Sequence, residues 1–309
     1  MNAQRAAAAV NHKLAGTGLW VPSLHPQPRA IHTAMPAPCT QKCPAGVQVK
    51  AYVSLIAEER FGEALEVVRR RCPLPGICGR ICHHPCEGAC KRQRYDDALA
   101  IRALKRFIAD NERDFPYPAP PPTPPKAARV AVIGSGPAGL TAAYDLRLAG
   151  YPVTIFEGED DPGGMLRYGI AEYRLPRDII DQEIEVIART GVEIKTGMRV
   201  GVDIELEKIA DQYSATLLAV GAQRGKTLGI DGEDDFAQVE DALAFLRRVN
   251  AGERDHAGRR VLVIGGGSTA IEAARASRRL GAESVQIIYR RSEDEVLAAN
   301  EEVEAARLE

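Results

Sequence analysis

The stretch Ala128–Gly164, ARVAVIGSGPAGLTAAYDLRLAGYPVTIFEGEDDPGG, decides how the chain is read. Val130 to Ile133 is a short apolar run with β-branched residues, as in one buried parallel strand. Gly134-Ser135-Gly136-Pro137-Ala138-Gly139 follows at once, and Leu140 to Leu148 then has helical periodicity. Val153 to Phe156 is a second strand, ending at Glu157. Gly134 permits the tight strand-to-helix turn, Gly136 lets a pyrophosphate approach the backbone, and Gly139 lets helix and strand pack closely. The helix N-terminus offers free N–H groups and a positive dipole end to phosphates. Glu157 stands 23 residues after Gly134, placed to accept hydrogen bonds from a ribose diol. Glycine-rich turns also occur for structural reasons alone. Strand before, helix after and an acid at the right distance together predict dinucleotide binding.

A second such unit follows within residues 226–309. Arg260 to Ile264 reads as a buried strand, Gly265-Gly266-Gly267-Ser268-Thr269-Ala270 opens the helix Ile271 to Leu280, and Val285 to Tyr289 is the next strand. That strand ends at Arg290-Arg291, where the first unit had Glu157. A carboxylate there favours a free 2′-hydroxyl, whereas arginine accommodates a 2′-phosphate, which leans toward NADP over NAD. Glu293, Asp294 and Glu295 dilute that positive field, and two solvated surface arginines are the alternative. Between the two motifs, Asp178 to Arg189 reads as an amphipathic helix, and Val192 to Lys195 and Ala215 to Val220 as strands. Pro162-Gly163-Gly164-Met165-Leu166 supplies a glycine turn whose backbone can lie against a flat ring.

The 309 residues suffice for two to three domains. Hydrophobic content of 45% and charged content of 27% are those of a soluble globular protein. A net charge of −2 gives no electrostatic case for nucleic acid or an anionic membrane. No apolar run approaches the roughly 20 residues of a membrane span. The N-terminus lacks a signal-peptide apolar region, so the expected location is cytoplasmic.

Seven cysteines, Cys39, Cys43, Cys72, Cys78, Cys82, Cys86 and Cys90, crowd one region. An odd number in a reducing compartment argues against disulfides and for metal ligation. Zinc sites favour CxxC pairs, and the three-residue spacings here fit that poorly. Iron–sulfur clusters take a close run of thiolates plus a distant cysteine, often followed by Pro, as in Cys43-Pro44 with Cys82, Cys86 and Cys90. Buried free thiols are the bland reading, and the one adopted for Cys72. His83 and His84 read as spacers. The helices around the cysteines carry Val49, Tyr52, Val53 and Ile56, then Phe61, Ala64, Leu65 and Val68, then Ile101, Leu104 and Ile108. These are too few large apolar residues to hold short helices alone, so metal centres are expected to staple them.

The expected organisation is an arm over residues 1–38 with Trp20 as anchor, a helical cysteine-rich domain over 39–113, a Pro-rich linker over 114–126, and nucleotide domains over 127–225 and 226–309. Prolines lack N–H donors and favour extended geometry, which marks the linker as semi-rigid.

The ordered motifs CxxxCP, CGRxCxHPCEGAC, IRALKRF, VAVIGSGPAGLTAAYDL, DPGGMLRYGI, YRLP and VLVIGGGSTAIEAAR resemble the small subunit of bacterial glutamate synthase. They are equally similar to the N-terminal half of dihydropyrimidine dehydrogenase and to related NAD(P)H:acceptor flavoprotein subunits. The resemblance covers roughly residues 36–309. It implies an α/β fold class: two Rossmann-like nucleotide-binding domains, the second truncated, preceded by a helical iron–sulfur domain. It further implies FAD in the first domain and NAD(P)H in the second, which is inserted into the first. By position, flavin contacts fall on Gly134, Gly136, Pro137, Ala138, Gly139, Glu157, Gly164, Leu166, Arg174 and Val200. Nicotinamide-dinucleotide contacts fall on Gly267, Ser268, Thr269, Ala270, Arg290 and Arg291. For [4Fe-4S] clusters, Cys43, Cys82 and Cys86 match ligands of one, and Cys39 and Cys90 match ligands of the other.

Three departures stand out. The upstream cysteine pair that completes a second cluster is missing from residues 1–38, which leaves one cluster expected and Cys78 as a recruit for the other. The segment Ala103 to Phe107 lacks the Glu or Gln that some relatives use as a fourth ligand. The rest of the nicotinamide domain and the returning flavin segment are expected beyond Glu309. The implied activity is an electron-input oxidoreductase subunit that works with a larger catalytic or iron–sulfur redox subunit. No acid–base residue is named, because the flavin is the reactive group. The rivals are the glutamate synthase subunit proper, a docking subunit with decayed nucleotide sites, and a zinc-stapled module.

Overall fold

A computed structural model describes residues 36–114, 123–233, 235–254, 260–292 and 295–309. Trp20 and most of the arm, the greater part of the Pro-rich linker, and Glu293 and Asp294 lie outside the described residues. The chain divides into two compact units. The first runs to Gly163 and resumes over Arg177–Val220; the second joins Gly164–Pro176 to Gly221–Glu309.

The α/β part of the first unit is a four-stranded sheet in the order β3-β2-β1-β4. Its strands are β1 (Val130–Ile133), β2 (Val153–Phe156), β3 (Glu193–Lys195) and β4 (Ala215–Leu218). All pairings are parallel, with Val130 opposite both Val153 and Ala215. Every residue of β1 and β2 is buried, which is what a parallel sheet covered on both faces requires. The helix after β1, Pro137–Leu148, buries Leu140, Ala142, Ala143 and Leu146; the alanines let it lie close to the strands. The helix Arg177–Ala188 buries Ile180, Ile184 and Ile187, a helical face at i, i+4 and i+7.

Among the described residues, six short α-helices precede the sheet: α1 (Pro38–Lys42), α2 (Val49–Ala57), α3 (Phe61–Arg69), α4 (Pro75–Ile81), α5 (Pro85–Gly88) and α6 (Ile101–Asp110). They share an apolar core of their own. Val47, Tyr52, Leu65, Val68, Ile101 and Ile108 are all buried in one cluster. α2, α3 and α6 contribute two or three buried residues each and α5 contributes Cys86, so the core forms only when the helices are assembled. Tyr52 donates its phenol to the carbonyl of Ile101 at 3.0 Å, and Phe61 meets Phe107 edge-on at 5.4 Å.

A buried ionic network joins these helices to the sheet layer within the same unit. Arg69, 1% exposed, donates to Glu112 at 2.6 Å and lies 3.9 Å from Glu183. Glu183 accepts from the backbone N–H of Gly76, in the first turn of α4, at 2.7 Å. A Cβ at position 76 would sit 2.7 Å from that same carboxylate oxygen, so a larger residue would displace the Glu183 carboxyl from this bond. Burial pushes the Glu183 carboxyl up to about 8, against the pull of Arg69.

The second unit holds the parallel pair β5 (Arg260–Ile264) and β6 (Ser284–Ile288). The helix Ser268–Arg279 packs its alanines with Val263, Phe245 and Leu246. The helix Ala242–Asn250 is capped by Asp241, which accepts from the N–H groups of Leu243 and Ala244. The segment Gly164–Pro176 is fastened here. Asn250 donates to the carbonyls of Tyr168 and Ile170, and the Ala171 N–H donates to Glu272 at 2.8 Å. Among the described residues, no helix is long and apolar enough to cross a membrane.

Asp145 yields a test. It is buried on the helix Pro137–Leu148, and desolvation raises its carboxyl to about 7 despite the nearby Arg71. A carboxyl whose folded pKa is raised contributes stability that is complete below its unfolded value and is lost as pH rises through about 7. Asp145→Asn is therefore expected to flatten the fall in urea-unfolding free energy between about pH 4 and 7, by a few kcal/mol at most. An unchanged pH slope would contradict the assignment.

Candidate functional site

At the C-terminal edge of β1 the chain turns sharply. Gly134 has φ +101°, and a Cβ there would meet the carbonyl oxygen of Ala219 at 2.5 Å. A Cβ on Gly139 would fall 1.9 Å from the Gly134 carbonyl oxygen, so helix and strand approach as closely as glycine allows. Gly136 differs: a Cβ there would meet nothing within 4 Å. It is the N-cap of the following helix, with Pro137 at N1 and no side-chain cap over the free N–H groups. The space beside Gly136 and the uncapped N-terminus is the cradle that a pyrophosphate needs.

Glu157 is 8% exposed at the end of β2. One carboxylate oxygen accepts from the Ser135 N–H at 2.9 Å and from the Ser135 hydroxyl; the other accepts from the Glu159 N–H at 3.0 Å. Ser135 in turn accepts from the Gly163 N–H at 3.0 Å. A carboxylate offers about four lone-pair sites, so these three bonds leave room for a ribose hydroxyl. Sequence reading assigned Ser135 no role. Its signal was a small polar residue inside the turn, here wholly buried. Val200 packs on the apolar cluster of Ile133, Phe156 and Tyr213.

The second unit repeats the turn. Gly265 has φ +143° and Gly267 caps the helix that begins with Ser268, Thr269 and Ala270. A Cβ at Gly267 would meet nothing within 4 Å, again leaving the helix start open. Gly266, which sequence reading did not single out, is required because a Cβ there would strike the Tyr289 ring at 2.7 Å. Its carbonyl accepts from the N–H groups of Leu297 and Ala298. Arg290 and Arg291 are exposed, and Arg291 lies 4.0 Å from Glu295. Gly164 has φ +55°, Leu166 is buried, and the Arg174 guanidinium is held by Glu272 and Glu302.

Cys39 lies on α1, Cys43 at its end, Cys78 on α4, Cys82 at its C-cap, Cys86 on α5 and Cys90 just beyond. Cys43, Cys82 and Cys86 are brought together: burial first, then Cys82 and Cys43, push the Cys86 thiol up to about 11. Cys78 instead pairs with Cys72, whose hydrogen bond draws the Cys78 thiol down to about 6. Among the described residues, no three His, Cys, Asp or Glu side chains are spaced for a single metal ion. In a four-iron cube each thiolate binds its own iron, and a set of soft thiolates within one core suits that group.

Residues 128–307 match the family profile described as pyridine nucleotide-disulphide oxidoreductase. The chain belongs to that family. Residues 29–116 match the profile of dihydropyrimidine dehydrogenase domain II, 4Fe-4S cluster. As a pyridine nucleotide-disulphide oxidoreductase with this domain, the chain has FAD, NAD(P)H and a [4Fe-4S] cluster as its cofactors. It is 43% identical over 276 residues to the NADPH-Fe(3+) oxidoreductase subunit beta of Geobacter sulfurreducens, covering 87% of this chain and 41% of that one. It is 41% identical over 297 residues to the NADP(+)-dependent formate dehydrogenase subunit beta of Moorella thermoacetica, covering 88% and 42%. The chain thus spans about two-fifths of the length of these relatives. Among solved structures, the His57Gln mutant of FprA from Mycobacterium tuberculosis aligns with TM-score 0.53 and 25% identity, over 59% of this chain and 48% of that one.

The two glycines separate packing from binding. Gly139→Ala forces a backbone clash and is expected to cost about 1–3 kcal/mol of stability, read as a lower melting temperature. Gly136→Ala should leave the melting temperature of flavin-stripped protein unchanged and lower the flavin retained on purification. Equal loss of stability in both variants would contradict the cradle.

Proposed function

We propose that the protein is an electron-input module that oxidises NAD(P)H and passes single electrons to a larger redox subunit. The observation that carries this reading is the placement of the cysteine-rich helices and the first glycine-turn fold in one compact unit, joined through Arg69, Glu183 and Gly76. When bound, FAD supplies the conversion of a two-electron hydride into single electrons, and the cluster carries them onward.

In this reading, Gly134, Gly136 and Gly139 with the N–H groups that follow Pro137 bind the flavin pyrophosphate, and Glu157 orients the ribose. Gly164, Leu166, Arg174 and Val200 complete the flavin set by their position in the family. Gly267, Ser268, Thr269 and Ala270 bind the second dinucleotide, and Arg290 and Arg291 take a 2′-phosphate. Cys43, Cys82 and Cys86 hold the cluster, with Cys39, Cys78 and Cys90 as the remaining thiolates. The names of the Geobacter and Moorella relatives support NADPH as donor and support a diaphorase subunit over a glutamate synthase subunit. The seven unpaired thiols support a cytoplasmic setting.

The test is anaerobic reduction of the protein by NADPH and separately by NADH, followed optically and by EPR. The expected result is flavin bleaching with a reduced-cluster signal, faster with NADPH. Bleaching by neither nucleotide would overturn the reading in favour of a docking subunit. Arg290→Ala is further expected to raise KM for NADPH about tenfold, worth ~1.4 kcal/mol, and to leave KM for NADH unchanged. Equal effects on both nucleotides would remove Arg290 from the phosphate site.

A further inference from the structure

Two non-glycine residues among those described have positive φ, Glu59 and His84. Glu59 ends a helix on the surface. His84 lies between two of the thiolates assigned above, with φ +40° and ψ +51°. A left-handed non-glycine residue is strained and persists only where its surroundings fix it. The surroundings here are specific. The His84 backbone N–H donates to the Cys82 sulfur at 3.3 Å. Its Nδ1 lies 3.2 Å from the Cys82 carbonyl oxygen, which also accepts from the Arg102 guanidinium at 3.0 Å. Its Nε2 lies 3.7 Å from a Glu87 oxygen, and the other Glu87 oxygen accepts from the Arg102 N–H at 2.7 Å. Pro85 follows directly and starts α5. Cys82, His84, Glu87 and Arg102 thus form a closed clasp whose one strained backbone position aims an N–H at sulfur.

We infer that His84 is a positioning residue that sets the reduction potential of the cluster through its backbone N–H bond to the Cys82 sulfur. The inference rests on the reading of Cys82 as a cluster ligand. A reduced cluster carries one more negative charge than an oxidised one, and its sulfurs share that charge. An N–H donor aimed at a ligand sulfur stabilises the reduced form more than the oxidised form, so it raises the potential. The left-handed backbone at His84 is what points the donor. The imidazole contributes by tying the strained residue to the Cys82 carbonyl and to Glu87, and touches no reacting atom itself.

The test compares two substitutions in the anaerobically purified, cluster-loaded protein by EPR-monitored redox titration. Glycine adopts the left-handed region freely and keeps the N–H, so His84→Gly should leave the midpoint potential at the wild-type value. Valine is β-branched and resists positive φ, so His84→Val should shift the midpoint to a more negative value at equal iron and sulfide content. An unshifted midpoint in His84→Val, or a negative shift of the same size in His84→Gly, would overturn the inference. A measurement on the unmutated backbone covers the case in which the valine variant does not assemble its cluster. With 15N-histidine incorporated, pulsed EPR of the dithionite-reduced protein should show a histidine nitrogen coupled to the cluster, lost in His84→Gly prepared with the same label. Absence of that coupling in the wild-type protein would overturn the inference while leaving the cluster in place. Absence of any reduced-cluster signal would instead overturn the underlying ligand reading.

Discussion

The buried network of Arg69, Glu183, Glu112 and the Gly76 N–H is the constraint on which the first unit depends. It consumes three ionisable groups in a largely apolar place, and apolar replacements of similar volume often serve stability as well or better. Its geometry explains its use. Glu183 belongs to the helix between β2 and β3, Gly76 opens the helix that ends at Cys82, and Arg69 closes the helix before it. One carboxylate therefore fixes the start of a cysteine-bearing helix against the sheet layer that carries the glycine turn. A slip of one helical turn along an apolar face costs little, but it would strand these charges. The network sets register between two layers that apolar contacts alone would leave loosely specified.

With register fixed, the rest of the first unit follows from local chemistry. The glycine turn stands where β1 must give way to a helix, and Ser135 ties that turn to Glu157 and to Gly163. The acid at the end of β2 thereby organises the turn. Within the second unit, Glu272 plays a comparable part. It lies on the helix after the second glycine turn and grips the Ala171 N–H and Arg174 of a segment that is remote in sequence.

Much of this was legible in the sequence, and the parts that were not share a physical cause. Val130–Ile133 and Val153–Phe156 are strands as their apolar runs dictate, and both glycine turns stand where their motifs place them. These features are local, and each is written in a few adjacent residues. Arg69 and Glu183 lie more than a hundred positions apart, and neither belongs to a repeating pattern that marks a buried charge. Arg174, read as a flavin contact by its motif, also pairs with Glu272 and Glu302, and no local pattern marks those partners. The segment Gly164–Pro176 reads as a continuation of the first nucleotide fold, yet its hydrogen bonds fasten it within the second unit. The core of the cysteine-rich helices is built from the apolar residues the sequence marks, among them Tyr52, Leu65, Val68, Ile101 and Ile108, but no single helix shows that they converge. His84 escaped notice because a left-handed histidine has no sequence signature beyond the proline that follows it.

The central claim is that the cysteine-rich helices and the first glycine-turn fold behave as one cooperative body. Native-state hydrogen exchange of the cofactor-loaded protein, read by mass spectrometry, tests it most directly. The account predicts that peptides spanning Gly76–Cys82 and Arg177–Ala188 share the protection of β1 and lose it together with rising denaturant. Earlier exchange of the cysteine-rich helices, with β1 still protected, would contradict it.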